Sequence, residues 1–337
     1  MTSKRDGLSI GRRTFLEHAG RAGLAALGAP ALAAGWAAEA QGAASRSYAP
    51  GLYGLELDGT FVGYLSAFSG GSVTADLITE QPGPDFIPRK HPGVVRVEPI
   101  TIETALPMGK PFYEWIKLSI EPGSKFPRKS GAIIEYDSAR REMGRRLFSS
   151  ALVTEVEFPA CDAASRDPAR LTVTFAPETV RLSPAKAGPV PVPQKAAAWQ
   201  RQSFRLSMQG FETTRVSRVE AFEVKVATST TPVGRAQPSV IQVPNLVFTL
   251  ADTSVGQFYA WLDDFLVRGN HGQDKERGAT LDYLAPDLKS SLLTLTFYNL
   301  GILKVSPEAA AGGVPAGAIR RSKVETYCEA MRADFRT

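Results

Sequence analysis

The chain has 337 residues, 43% of them hydrophobic and 22% charged, the composition of an ordinary soluble globular protein with length for about two domains. Its net charge is +5, of which residues 1–40 supply +2 (Lys4, Arg5, Arg12, Arg13 and Arg21 against Asp6, Glu17 and Glu39), so the remaining +3 is too mild to argue for a nucleic-acid surface. Two cysteines, Cys161 and Cys328, exclude a disulfide framework and read as a pair of free thiols.

Residues 1–40 form the first segment. Arg12 and Arg13, followed by Phe15 and Leu16, precede a weakly apolar, Ala- and Gly-rich run from Ala22 to Ala38. Ala38-Glu39-Ala40 then offers small residues at the spacing a signal peptidase reads, with cleavage expected after Ala40. Paired arginines before Phe-Leu resemble a twin-arginine export signal. Gly11, Glu17 and Arg21 depart from that pattern, and a short amphipathic or disordered extension is the alternative. The apolar run is too short for a transmembrane helix, and no later segment qualifies, so no membrane span is expected in the mature chain.

Residues 48–183 carry a first β-rich unit. Tyr53-Gly-Leu-Glu-Leu-Asp-Gly59 alternates apolar and polar residues and stops at a glycine, a strand entering a tight turn. A strand with one wet face is expected at Val97–Thr104, where Ile100 and Ile102 alternate with Thr101 and Glu103. Phe112 and Trp115 fall on one face of the single helix expected here and are candidate core residues. Strands follow at Gly131–Tyr136, Phe148–Val156 and Leu171–Phe175. Arg140, Arg141, Arg145 and Arg146, interrupted by Glu142, read as a solvated turn or helix end.

The Pro-rich stretch Ser183–Pro193 is a semi-extended linker, setting a boundary at residues 184–196. A second unit, residues 197–335, then repeats the first in order. Phe204–Gly210 echoes Tyr53–Gly59; Val216 and Val224 match Leu65 and Val73 at an unchanged offset; Val243–Leu250 matches Val97–Thr104. Phe258 and Trp261 repeat Phe112 and Trp115 as helix core residues, and Gly278–Tyr283, Phe297–Val305 and Val324–Met331 complete the series. Repetition in this order points to gene duplication. The fold class is therefore mainly β (α+β): two tandem small β-barrel or sandwich domains, each flanked by one helix.

Each unit resembles the tail tube protein family of contractile phages and related contractile injection systems. In the first, the strand with its turn glycine (Leu57, Gly59), Ser69-Gly70-Gly71, the basic pair before Pro-Gly in Arg89-Lys90-His91-Pro92-Gly93, Ile100-Thr101-Ile102 and the aromatic helix come in the family's order. The resemblance is weaker over 197–335, where Pro238 keeps the loop proline but the basic pair and the glycine are gone. It implies rings of six domains stacked into a tube, with the stretch Thr79–Gly93 (Glu80, Arg89, Lys90, Pro92, Gly93) as the loop that reaches the next ring; an ordinary surface loop is the alternative. The expected partners are then other copies of the chain, as trimer or hexamer, with sheath, baseplate or neighbouring tube proteins.

Nothing in the sequence calls for chemistry. His18, His91 and His271 stand singly, without metal-ligand spacing. Asp263 and Asp264 are adjacent on a predicted helix and diverge; Asp252-Thr-Ser254 reads as a helix cap. No phosphate-cradling glycine loop or nucleophile elbow is present, so no catalytic, cofactor or metal site is expected. The expected function is a structural ring- or tube-forming protein, three chains supplying six domains to a pseudo-hexamer. The alternative is an exported periplasmic interaction module that keeps the fold without forming a tube. Location follows the same division: periplasm by way of the signal, or cytoplasm or a phage-like particle.

Overall fold

In Tyr53–Leu57 (β1), Leu55 and Leu57 are buried while Tyr53 and Glu56 are half-buried, and the chain reverses at Asp58-Gly59, both left-handed (φ 47 and 82). That is the Asp-Gly pair a two-residue type I′ turn selects. The computed structural model describes residues 52–81, 83–84, 86–104, 107–186, 191, 199–230, 236–308 and 319–336; the twin-arginine-like motif, the proposed cleavage site and most of the linker lie outside them.

From the turn the chain forms β2 (Thr60–Leu65), β3 (Ala67–Gly70), β4 (Val73–Thr79), β5 (Lys90–Val97) and β6 (Ile100–Thr104). The helix α1 (Lys110–Ile120) follows, then β7 (Lys129–Tyr136), β8 (Glu142–Phe158), β9 (Cys161–Asp162), β10 (Leu171–Ala176) and β11 (Thr179–Pro184). The antiparallel order is β2-β1-β7-β8-β10-β6-β3, with β11 continuing the line of β10 along β8. Only Ser66 separates β2 from β3, yet β2 pairs with β1 at one end of the sheet and β3 with β6 at the other. This bent segment nearly closes the sheet into a barrel. Phe112, Trp115, Ile116 and Ile120 of α1 are buried, as the helical spacing of its apolar residues requires.

The second half runs β12 (Phe204–Met208), β13 (Val216–Val219), β14 (Phe222–Thr230), β15 (Ala236–Gln242), β16 (Leu246–Ala251), α2 (Gly256–Leu262), β17 (Arg277–Leu284), β18 (Ser291–Pro307) and β19 (Arg321–Phe335). Its sheet order, β12-β17-β18-β19-β16-β13, restates β1-β7-β8-β10-β6-β3. Registers agree in detail: Val156 stands opposite Val173 and Val305 opposite Val324, while Ile102 faces Phe68 and Phe248 faces Val219. The continuous β19 fills the place of β10 and β11 together. One difference lies in the helix: α2 passes into a π turn at Asp263–Val267, a common way to absorb an extra residue. The fold is mainly β throughout, each sheet carrying one α-helix.

Residues Tyr48–Thr337 form one compact unit; a large hydrophobic core runs through both sheets, and a smaller cluster of Ala132, Ile134 and Tyr136 lies apart from it. Three sequence expectations are corrected. Arg145 is buried rather than solvated, because its guanidinium donates to Glu142 at 2.6 Å and to Glu56 at 2.8 Å. Lys90, Pro92 and Gly93 lie in a strand rather than a loop, Lys90 opposite Thr79 and Pro92 opposite Leu77 of β4 with Gly93 at the irregularity beside them, so only residues 80–89 connect the hairpin. Asp252 does not cap α2: its carboxylate accepts a hydrogen bond from Ser322 Oγ at 2.7 Å, and a short 3-10 turn leads into the helix.

Candidate assembly interface

The sheets meet edge to edge inside the chain. β8 is 17 residues long, and β7 covers one of its edges only as far as Ala151. The uncovered end, Glu155–Phe158, is taken by β14 of the second half: Phe222 opposite Phe158, Glu223 opposite Glu157, Val224 opposite Val156, Lys225 opposite Glu155. Phe222 stacks on Phe158 with ring centroids 5.3 Å apart, and Val224 and Val226 are buried. Just beyond, β9 pairs with β13, placing Cys161 opposite Val219 and Asp162 opposite Arg218. A strand edge with unpaired N–H and C=O groups is a template for another strand, and here the same chain supplies it.

The helix α1 closes the seam on one side. Tyr113, Lys117 and Glu121 lie four residues apart and so share a face. Each meets the end of strand β19: Tyr113 stacks on Phe335 at 4.4 Å, the Lys117 ammonium donates to the Asp334 carboxylate, and Glu121 lies 3.6 Å from Arg332. Burial raises the Tyr113 phenol well above its ordinary pKa, and its oxygen accepts from Met108 N–H at 2.8 Å.

The electrostatics of the seam are uneven. Glu155, Glu157 and Glu223 gather where β14 crosses β8, with Lys225 as the basic neighbour, 2.8 Å from Glu223. The hydrogen bond that Glu155 shares with Glu223, together with burial, pushes the Glu155 carboxyl up to about 7. Two carboxylates this close cannot both ionise without mutual repulsion, so the Glu155 carboxyl keeps its proton to higher pH than a free one.

The matching surfaces at the opposite ends are open among the described residues. β4 and β5 pair only with each other, and Val73, which occupies the place of Val224, is 55% exposed where Val224 is fully buried. β17 covers β18 only to Leu300, leaving the edge at Lys304–Pro307, the counterpart of Glu155–Phe158. Tyr259 is 42% exposed on α2 where Tyr113 on α1 is 4% exposed, and Leu266 and Val267 are exposed one to two turns on. At the end of β11, the counterpart of the β19 end, Leu182 is 78% exposed.

Of the residues singled out from sequence, Phe112, Trp115, Phe258 and Trp261 are all buried, and the Trp115 indole donates to the Pro127 carbonyl at 2.8 Å. Glu80 and Arg89 close the hairpin connection, with Glu80 N–H donating to Arg89 O at 2.8 Å and the Glu80 carboxylate 3.7 Å from His91. Asp263 and Asp264 take separate partners, Arg268 and Asn270, both at 2.8 Å. Cys161 and Cys328 are unpaired, and burial raises their thiols to about 12 and about 11. No group of three or more metal-ligating side chains occurs among the described residues, nor any helix long and apolar enough to cross a membrane. A depression of 390 Å³ between β12, β17 and β18, lined by residues such as Met208, Thr280 and Phe297, holds no charged side chain.

Sequence reasoning missed the seam itself. Nothing in the alternation of β8 distinguishes the end that β14 covers from the stretch that β7 covers. The available signal was length: a strand of 17 residues facing an 8-residue neighbour must present spare edge.

A search of curated protein sequences finds no match. Among solved structures the chain is similar to a chain of the PVC sheath–tube complex, an extracellular contractile injection system in the extended state (20% identity, 42% of this chain, 95% of that chain, TM-score 0.37). It is similar to a chain of the anti-feeding prophage tube-terminating cap (24% identity, 40% of this chain, 88% of that chain, TM-score 0.35). A further similar structure is Hcp1 from Flavobacterium johnsoniae (18% identity, 41% of this chain, 99% of that chain, TM-score 0.26). Residues 52–181, which span the first sheet, its helix and the exposed hairpin, match the family model of the T4-like virus tail tube protein gp19.

Proposed function

We propose that this is a structural, non-enzymatic protein that assembles into rings or a tube, its two sheet-and-helix units being tandem copies of one tail tube domain. The observation that carries the reading is the edge-to-edge pairing of β14 on β8 between units of like strand order. A joint of this kind is heterologous: repeated from unit to unit, it generates a closed ring or an open helix. Three chains would bring six units and form a pseudo-hexamer. The connection at residues 80–89, with Glu80 and Arg89, is the element available to reach a neighbouring ring, and further partners would be the sheath, baseplate or tube proteins of a contractile particle. Light scattering on the full chain, followed by negative-stain microscopy, tests the reading. A trimer with a six-lobed ring is the expected result; a monomer at every concentration, with its sheets intact, would refute it.

A second reading has its own observation. Arg12, Arg13, Phe15 and Leu16, with Ala38-Glu39-Ala40, describe an exported chain, which would work in the periplasm as an interaction module. Cell fractionation with sequencing of the mature amino terminus separates the two. A start at Gln41 in the periplasm favours the module; an intact Met1 in the cytoplasm favours the particle component.

A further inference from the structure

The surfaces left open at the two ends of the chain are the two halves of the seam that its middle has already made. Resting on the ring-forming reading, we propose that successive chains join by the same seam, β4 of a second copy adding to the open edge of β18 with Thr74 opposite Lys304 and Val73 opposite Val305.

The register follows from the pairing within the chain. Val305 faces Val324 as Val156 faces Val173, which fixes Lys304–Pro307 as the counterpart of Glu155–Phe158. On the other partner, Thr74 pairs with Arg96 in β5 as Lys225 pairs with Gln242 in β15, which fixes Thr74 as the counterpart of Lys225. Since Lys225 stands opposite Glu155 inside the chain, Thr74 stands opposite Lys304 between chains.

The helix side agrees. Pro184 stands opposite Gly144 in β8 as Phe335 stands opposite Leu293 in β18, so the end of β11 corresponds to the strand end that covers Tyr113. In the joint it lies over Tyr259. The exposed apolar side chains Val73, Leu182, Tyr259, Leu266 and Val267 then fall on the two surfaces brought together. The ion pairs of the internal seam have no counterpart here: Asp263 and Ser183 stand in the places of Lys117 and Asp334, and Val267 and Arg181 in those of Glu121 and Arg332, so this side of the joint is the more apolar one. The carboxylate cluster is not repeated: Glu155, Glu157, Glu223 and Lys225 are replaced by Lys304, Ser306, Ser72 and Thr74. No like-charge repulsion opposes this joint.

Cysteine trapping in the full chain tests it, since the native thiols are buried. The pair Glu155→Cys/Lys225→Cys is the internal reference and closes within one chain. The pair Thr74→Cys/Lys304→Cys is expected to give covalent dimers, trimers and higher species under mild oxidation, lost on reduction, with a 74–304 linked peptide by mass spectrometry. Thr79→Cys/Lys304→Cys sits about 16 Å out of register and gives none. Val73→Glu, on an exposed position, is expected to raise the self-dissociation constant on the order of a hundredfold, about 2.8 kcal/mol. Assembly seen by light scattering, with the internal reference closing but no 74–304 link, would overturn this joint and leave the ring-forming reading standing. A chain that stays monomeric and unlinked would overturn both.

Discussion

The hairpins β4–β5 and β14–β15 occupy the same place in the two halves and share a register, yet one stands in water and the other in the core. Val224 and Val226 are buried against β8, whereas Val73 and Leu77 are more than half exposed on β4. Their own sequences do not account for this, since both are apolar along the strand. The difference comes from the edge each one meets: β14 finds the spare end of β8, while the equivalent end of β18 lies at the far side of the chain. Two units of like strand order joined in this way leave one unused surface of each kind. Val73, Leu182, Tyr259, Leu266 and Val267 are exposed on those surfaces, and apolar side chains grouped in this way mark a candidate interaction site.

The largest expected effect breaks the internal seam. Phe222→Ala removes a buried ring that packs on Phe158 at 5.3 Å and on Phe297 at 5.7 Å. The cost is about 3–5 kcal/mol, read as a fall in the urea midpoint. Leu77→Ala in the exposed hairpin is expected to move that midpoint by less than about 0.5 kcal/mol in dilute solution. Equal losses in both variants would show that β4 is covered within the monomer.

The helices give a middle-sized contrast. Tyr113→Phe leaves the Met108 N–H buried without its acceptor, at a cost of about 1–3 kcal/mol. Tyr259→Phe, at the half-exposed counterpart, is expected to be neutral in the monomer. A thermal unfolding series on the two variants checks this, and a loss at Tyr259 as large as that at Tyr113 would mean that α2 is already covered.

Much of this architecture is written in local pattern. Alternation marks β1, β6, β7 and β10 and their counterparts, and the aromatic pairs Phe112/Trp115 and Phe258/Trp261 mark a helix in each half, because period-2 and period-3.6 burial leave direct traces in composition. The seam leaves no such trace. Tyr113 and Tyr259 are the same residue at matching helix positions, and Tyr113 is the one that Phe335, from the far end of the chain, covers. Arg145 looked like a surface charge because its partner Glu56 is 89 residues away in sequence. Long-range pairing of this kind is decided by which edges face each other in three dimensions.

The smallest effect is a matter of pH, and it separates the internal seam from the joint between chains. Glu155 ordinarily titrates near 4.5 and is held at about 7 in the folded chain, first by its hydrogen bond to Glu223 and then by burial. Between those values the folded protein keeps a proton that the unfolded chain has lost, so the native state binds more protons and stability falls as pH rises. The contribution is complete below 4.5 and gone once pH passes 7. Because the group is half-exposed and screened, the change is roughly 1–2 kcal/mol. Glu155→Gln removes the titration while keeping a hydrogen-bonding side chain, and urea midpoints measured at pH 5 and pH 8 are expected to lie closer together in the variant than in the parent. Self-association behaves differently: with Lys304, Ser306, Ser72 and Thr74 in the matching positions, the strand crossing of the joint has no carboxylate cluster to protonate, and its dissociation constant should be flat across the same window. An assembly that tightened in step with Glu155 protonation would mean that the chains join through the carboxylate cluster, which requires the internal seam to open first.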